Sequence, residues 1–234
     1  MGERHLRVAA VSKSYGRQRA LIDVTLDFAP GRVAAVVGPN GAGKTTLLGI
    51  LSTLLRPTAG QILLGDEPLG RRQRHTIGYV GHEPGVYPDL SGWQNLRLFA
   101  ALYGLPSAEE RVATMIRRVG LAEVRRELPA RAYSRGMLQR LALARALLHE
   151  PEIVLFDEPS ATLDPAGVGW LVDELARERQ AGRLVVFVTH DLDAAAQAAG
   201  HLVVMRRGRV VLQRTSPSGF GAPEVRSLYQ EAMG

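Results

Sequence analysis

The sequence predicts an α/β fold built around a mainly parallel central sheet. Three apolar runs, Val33–Val37, Ile153–Phe156 and Leu184–Val188, are continuous and rich in β-branched residues, which is typical of strands buried on both faces. Helical patterns separate the runs along the chain. By contrast, Leu21–Phe28 alternates apolar and polar residues, which predicts an antiparallel strand with one exposed face. We therefore expect an antiparallel β subdomain beside the central sheet.

Helical patterns are predicted at about 43–55, 91–103, 107–119, 135–149 and 166–180, with breaks at proline and glycine residues. Residues 85–150 hold several of these helices and no convincing strand, which predicts an inserted α-helical subdomain. Two short strands at Leu202–Val204 and Arg209–Leu212 follow. We expect one domain over 1–234: a core with the β subdomain at about 1–84 and 151–214, the helical subdomain at about 85–150, and a tail at 215–234.

Composition excludes several classes of protein. Hydrophobic residues make up 46% of the 234 residues and charged residues 22%, which indicates a globular chain. No apolar run approaches the roughly 18–20 residues that cross a bilayer. The N-terminus lacks a signal-peptide pattern, and the absence of cysteine excludes disulfides and thiolate metal sites, so we expect a cytoplasmic chain without zinc.

The positive charge of the chain is carried almost entirely by arginine. Only Lys13 and Lys44 are lysines, so 27 of the 29 basic residues are arginine, and the formal net charge is +6. Nine arginines lie between residues 111 and 145, against two glutamates. This segment predicts a basic face, either a solvated helical surface or a contact for nucleic acid, anionic lipid or an acidic partner.

A glycine-rich loop follows the first buried run and precedes a helical pattern. Its spacing, GPNGAGKT, is that of a phosphate-binding loop, whose backbone N–H groups turn towards the α- and β-phosphates. Lys44 takes the position that reaches the β- and γ-phosphates, and Thr45 the position that ligates Mg²⁺. The residues predicted to bind ATP here are Gly38, Pro39, Asn40, Gly41, Ala42, Gly43, Lys44, Thr45 and Thr46.

Acidic and imidazole side chains follow the other two buried runs. Asp157 and Glu158 end one run, and His190 follows the other, so all three are expected at the sheet edge that carries the phosphate loop. We expect Asp157 to hold Mg²⁺ through water and Glu158 to polarise the attacking water as a general base. His190 is predicted to contact the γ-phosphate. Alone, each of these residues is more often a cap or a surface group.

The segment SRGMLQR at 134–140 resembles the signature motif, Leu-Ser-Gly-Gly-Gln followed by Gln-Arg, of the nucleotide-binding subunits of ABC transporters. The resemblance covers essentially the whole chain. It implies that Ser134 and Gly136 bind the γ-phosphate held by a second protomer, so that ATP joins two subunits. The departures from the motif are Tyr133, Arg135 and Met137. We expect the Arg135 guanidinium to supplement the phosphate contact.

The resemblance assigns further roles by position. Tyr15 matches the aromatic residue that stacks on adenine, and Asp164, in the segment 160–164, matches the loop that communicates across the dimer. His190 matches the family's switch histidine. His82 stands where the family has a glutamine that reaches a Mg²⁺-bound water, so it joins the predicted metal-site and catalytic residues. Because histidine titrates near neutral pH, we expect coupling to depend on pH.

The resemblance implies an ATPase subunit that energises a transporter through ATP-driven dimerisation, on the cytoplasmic face of the membrane. Expected partners are ATP, Mg²⁺, an integral membrane permease and a second copy of the chain. Residues 81–85 and 134–137 look most like the ATPases of haem exporters for cytochrome c maturation. The alternatives are an ATPase of a lipid, polysaccharide or drug exporter, and an ABC ATPase acting on nucleic acid. We expect transport rather than action on nucleic acid, because 234 residues without cysteine leave no room for the coiled coils, zinc modules or second cassette typical of the latter.

Overall fold

Two β-sheets face each other across an apolar layer in the computed structural model, which describes residues 4–121, 127–161 and 163–234. The strands are β1 Leu6–Tyr15, β2 Gln18–Phe28, β3 Val33–Val37, β4 Ala59–Leu64, β5 Glu67–Pro68, β6 Ile77–Val80, β7 Ile153–Asp157, β8 Leu184–Thr189, β9 His201–Arg206 and β10 Arg209–Thr215. The helices are α1 Lys44–Leu51, α2 Gly92–Leu102, α3 Ala108–Arg118, α4 Arg135–Leu147, α5 Pro165–Gln180, α6 Leu192–Ala198 and α7 Ala222–Met233. Short 3₁₀ helices lie at Arg71–Thr76 and Ala130–Ala132.

The larger sheet has the strand order β10-β9-β3-β8-β7-β6. All neighbouring strands from β9 to β6 are parallel, and β10 pairs antiparallel at the edge. The three runs predicted to be buried on both faces form β3, β7 and β8, and every residue of these strands is buried. In β3, Ala34 and Val36 face the second sheet, whereas Ala35 and Val37 face the main helical core. The predicted mainly parallel α/β core is confirmed.

The smaller sheet is antiparallel, with the order β2-β1-β4-β5. In β2, Val24, Leu26 and Phe28 are buried as the alternation predicts. Ile22, however, is only half-buried, and Leu21 is buried instead. Asp23 has a positive φ of 51°, and the register with β1 shifts there, so a bulge reverses the side-chain alternation.

Helices cover the other face of the larger sheet, and α1 lies between the two sheets. Helix α1 ends at Leu51, four residues before the predicted end, because the chain turns at Thr53, which has a φ of 59°. The elements between Gly92 and Leu147 that the structure describes are helices, as predicted. Strands β1, β4, β5 and β6 and helix α6 were not predicted, because these segments are short or lack a clear apolar period.

The arginine-rich segment 111–145 is tied into the fold by internal contacts. Of its seven described arginines, five contact groups elsewhere in the chain. These are Arg111 with Glu150, Arg118 with Glu174 and Glu178, Arg131 with Asp89, Arg140 with the Val119 carbonyl, and Arg145 with the Tyr79 carbonyl. Arg125 and Arg126 lie outside the described residues. Most arginines of the described part therefore have partners within the chain and do not form one free basic face.

Among the residues that the structure describes, no helix is both long enough and apolar enough to span a lipid bilayer.

Candidate nucleotide site

The phosphate loop is shaped by two close backbone contacts. A side chain at Gly43 would bring its Cβ to 2.5 Å from the Ala20 carbonyl oxygen on β2, and Gly43 has a φ of 101°. At Gly38, a Cβ would overlap the Met205 carbonyl oxygen on β9. Only glycine fits both positions, because the neighbouring strands occupy the space of a side chain. The loop therefore packs directly on β2 and β9.

Lys44 is held inside this loop. Its side chain is 93% buried, and its Nζ donates hydrogen bonds to the Gly38 carbonyl at 2.7 Å and the Pro39 carbonyl at 3.3 Å. The same Nζ lies 3.9 Å from Glu158 Oε1. The ammonium thus stands between the phosphate loop and a carboxylate, where it can meet the terminal phosphates of a nucleotide.

Asp157 and Thr45 meet at the end of β7. The Thr45 hydroxyl lies 3.3 Å from Asp157 Oδ1 and donates to it. Burial raises the pKa of Asp157 above its ordinary value, the nearby Glu158 charge raises it further, and the Thr45 hydrogen bond opposes the shift. A buried carboxylate beside a hydroxyl is a set of hard oxygen ligands, which suits Mg²⁺ carried by a nucleotide phosphate.

Glu158 adopts a strained backbone and joins two strands. Its φ is 51°, a region that non-glycine residues rarely occupy, and its N–H donates to the Val188 carbonyl on β8 at 2.9 Å. Its Oε2 accepts a hydrogen bond from the His190 backbone N–H at 3.2 Å and lies 2.9 Å from His190 Nδ1. Strain at a site residue is typical of functional positions, where the surroundings enforce one orientation. The geometry holds the Glu158 carboxylate next to Lys44.

Two other predicted site residues, His82 and Tyr15, lie on exposed segments of the chain. His82 follows β6 and is exposed, and its charge lowers the pKa of Asp157. Tyr15 ends β1 and is 48% exposed. Tyr15 pairs with Gln18 across the β1–β2 turn, and Ala20 of the same hairpin abuts Gly43. The hairpin that carries Tyr15 therefore packs against the phosphate loop.

The signature residues form a second group. Ser134 caps α4, where its Oγ accepts the Met137 N–H at 3.3 Å, and Asp164 caps α5, where its Oδ1 accepts the Gly167 N–H at 2.7 Å. The cavity between the two helix ends is lined by Ser134, Arg135, Gly136, Met137, Arg140, Leu163, Asp164 and Gly167. None of these belongs to the phosphate loop. Thr162, in the predicted segment 160–164, lies outside the described residues.

Sequence reasoning missed the support beneath the His82 loop. The end of α4 and the turn after it both contact β6: Arg145 Nη2 donates to the Tyr79 carbonyl at 2.7 Å, and His149 Nε2 lies 3.2 Å from the Ile77 carbonyl. The two carbonyls are two residues apart on β6, which is about 6–7 Å along a strand, and the two side chains reach them from neighbouring turns of the chain. The available signal was the polar pair at positions 145 and 149 beside buried α4 residues. The element that begins at the signature motif thus anchors the strand that leads to His82.

His149 makes stability depend on pH. It stacks on Tyr103 with ring centroids 4.1 Å apart, and burial lowers its pKa to about 4. The unfolded chain binds this proton near pH 6.5, so the stabilisation is complete above that value and is lost as pH falls towards 4. Between these limits we expect the unfolding free energy to fall by about 1 kcal/mol per pH unit from this group, below the ideal 1.4 because the ring is partly exposed.

This pH dependence is measured by urea denaturation between pH 7 and 4.5. His149→Phe keeps a ring against Tyr103 and should flatten the decline. Equal slopes for the wild type and His149→Phe would contradict the assignment.

Comparison with known proteins identifies the class. Residues 21–161 match the family model described as ABC transporter. The daunorubicin resistance ATP-binding protein DrrA3 of Streptomyces coeruleorubidus is 38% identical over 221 residues, covering 92% of this chain and 70% of that protein. The L-cystine transport system ATP-binding protein TcyN of Escherichia coli (strain K12) is 34% identical, and the match covers 94% of this chain and 93% of that protein. The lantibiotic transport ATP-binding protein SrtF of Streptococcus pyogenes is 30% identical, and the match covers 89% of this chain and 90% of that protein.

Solved structures agree. The ATP-binding subunit of an ABC transporter has a TM-score of 0.87 and 30% identity, covering 98% of this chain and 99% of that one. The dimeric bacterial ABC transporter cassette MJ0796 has a TM-score of 0.83 and 27% identity, covering 90% and 98%. The same cassette bound to ADP and Pi gives a TM-score of 0.82 at 26% identity, with the same coverage.

The fold and the site define a P-loop ATPase, and the chain belongs to the ABC transporter family. It is the ATP-binding subunit of such a transporter, an ATPase of the kind coupled to transport.

Proposed function

We propose that two copies of this chain close around two ATP molecules and that closure drives an integral membrane permease. The observation that carries this proposal is the division of the site residues into two groups within one chain. Lys44, Asp157 and Glu158 form one group, and Ser134 and Asp164 lie on a separate cavity. A second copy would supply the second group to the first copy's nucleotide. The dimeric form of the cassette MJ0796 supports the arrangement.

In this proposal each residue of the first group has one task. The backbone of residues 38–46 binds the phosphates, and Lys44 neutralises their terminal charge. Thr45 and Asp157 would hold Mg²⁺, which supplies further neutralisation of phosphate charge when it is bound. Glu158 accepts a proton from the attacking water, and His190 orients Glu158 and meets the γ-phosphate. His82 would contact a Mg²⁺-bound water and so help to hold the metal.

The remaining assignments follow from the same proposal. Tyr15 stacks on adenine, and Arg135 with Gly136 extends the γ-phosphate contact across the dimer. The core at about 1–84 and 151–214 binds the nucleotide, the helical subdomain at about 85–150 carries the signature residues, and 215–234 is a tail. The subunit acts at the cytoplasmic face of the membrane without zinc.

We propose export as the direction of transport. DrrA3 is named for daunorubicin resistance, and a Nod factor export ATP-binding protein of Cupriavidus metallidurans is 35% identical over 213 residues, covering 89% of this chain and 70% of that protein. The relatives described above are named for a drug, a lantibiotic and cystine, and none for haem. Haem export rests on residues 81–85 and 134–137 alone, and a drug-like cargo has the better support.

A charge placed at Ser134 tests the shared site. Asparagine and aspartate cap helices about as well as serine, so Ser134→Asn and Ser134→Asp should both fold. They differ in one negative charge next to the proposed γ-phosphate. We expect Ser134→Asp to weaken ATP-dependent dimerisation by about 100-fold relative to Ser134→Asn, because like charges across an interface cost several kcal/mol. Analytical ultracentrifugation with and without ATP measures this, and equal dimerisation of the two variants would contradict the proposed interface.

Purification from native membranes tests the transport proposal. The tagged chain is extracted in mild detergent, and the co-purifying proteins are identified. An integral membrane subunit supports the proposal, and a cytochrome-maturation partner would restore haem as the cargo. Recovery with nucleic acid and no membrane protein would replace transport by the alternative of an ABC ATPase acting on nucleic acid.

A further inference from the structure

Lys13 lies beside the exposed ring of Tyr15. The two residues stand two positions apart on β1, so their side chains emerge on the same side of the strand. Lys13 Nζ lies 5.2 Å from the centroid of the Tyr15 ring, within the range of a cation–π interaction. The same Nζ donates a hydrogen bond to the Arg56 carbonyl at 2.8 Å.

The segment that holds Lys13 is itself fastened to β1. The Thr58 N–H donates to the Ser12 carbonyl at 2.8 Å, and the Ser14 N–H donates to Thr58 Oγ1 at 3.1 Å. The Arg56 carbonyl therefore keeps its place relative to the strand. Because the ammonium is held at a fixed point, it restricts the ring of Tyr15 as well.

The Lys13 ammonium is not engaged in an ion pair within the described residues. Within the described ranges, no carboxylate lies within ion-pair distance of Lys13 Nζ. The residue type is also unusual for this chain, in which lysine occurs only at positions 13 and 44. Lys44 likewise donates to main-chain carbonyls inside the phosphate loop. The Lys13 ammonium donates to a carbonyl and lies against a ring at the same time.

We propose that Lys13 is a positioning residue for the nucleotide base. Its ammonium covers one face of the Tyr15 ring and fixes the orientation of the ring on the β1–β2 hairpin. The opposite face of the ring stays free to stack on a purine base. The inference rests on the proposed stacking role of Tyr15. Lys13 itself touches no nucleotide atom and acts only through the ring.

Nucleotide affinity of the purified chain tests this, with ATP and inorganic tripolyphosphate as the two probes. Lys13→Met removes the charge and keeps the length of the side chain. We expect it to weaken ATP binding about threefold, the size of an exposed cation–π contact, and to leave tripolyphosphate binding unchanged. Lys13→Arg should restore most of the loss. Arg17→Gln, an exposed cation on the same hairpin, should change neither affinity. An equal loss for both probes would mean general charge attraction and overturn the proposal.

A double-mutant cycle with Tyr15→Ala separates the two proposals. If Lys13 acts through the ring, Lys13→Met has no further effect on ATP affinity in the Tyr15→Ala background. A full threefold effect in that background would overturn the inference. If Tyr15→Ala alone leaves ATP affinity intact, the stacking role fails. If it weakens ATP binding but Lys13→Met does not, the inference about Lys13 fails alone. Thermal unfolding of each variant confirms that it is folded.

Discussion

Replacing Glu158 with glutamine is expected to slow ATP hydrolysis by about 10²–10⁴-fold, the range that a general base contributes. Glu158 is placed for this role by three contacts. Its Oε1 lies 3.9 Å from Lys44 Nζ, and its Oε2 meets the backbone N–H and the imidazole of His190. Glutamine keeps the size and can still accept from the backbone N–H, but its amide cannot take a proton from water.

The loss should appear in kcat and not in ATP affinity, because the phosphate contacts come from the loop and Lys44. The variant should therefore bind ATP and remain in the closed dimer longer than the wild type. Steady-state ATPase assays and ATP titration measure the two quantities. Glu152→Gln is a matched control, since Glu152 is an exposed glutamate paired with Arg4 away from the loop. A kcat within threefold of the wild type would show that another group is the base.

Replacing Arg118 with methionine is expected to lower the free energy of unfolding by about 2–3 kcal/mol. Arg118 on α3 contacts Glu174 at 2.8 Å and also Glu178, and both glutamates lie on α5. These glutamates are 0% and 1% exposed. Breaking a buried pair leaves an uncompensated charge, which usually costs about 3–5 kcal/mol. The expected cost is lower here because Glu174 keeps Arg177 and Glu178 keeps Arg183.

The same variant should weaken the packing of α3 on α5, because Arg118 links these two helices. Urea denaturation gives the free energy, and amide hydrogen exchange of α3 gives the local effect. Arg117→Met is the matched control, because Arg117 is exposed and its side chain donates a hydrogen bond to Thr114 of its own helix. Equal stability of Arg118→Met and the wild type would mean that the ion cluster does not join α3 to α5.

The candidate site was predictable wherever function depends on neighbours in sequence. Lys44 and Thr45 follow glycines at fixed spacing, and Asp157 and Glu158 follow an apolar run, so local patterns locate them. The short strand and the bulge at the edges of the fold were harder to predict from sequence. Strand β6 is four residues long and carries no alternation, and the bulge at Asp23 reverses the side-chain phase that the pattern of β2 implies. Both depend on pairing with distant strands.

By itself the sequence determined the α/β class, the phosphate loop and the acidic strand end. Each of these is a contiguous pattern with one hydrophobic period or one fixed spacing of residues. Only the tertiary structure decided that Lys13 lies between Tyr15 and the Arg56 carbonyl, and that Arg118 neutralises Glu174 and Glu178. Lys13 and Arg118 are separated from Arg56 and Glu174 by 43 and 56 positions. Contacts of that range form only when packing of the two cores brings the elements together, so no local pattern encodes them.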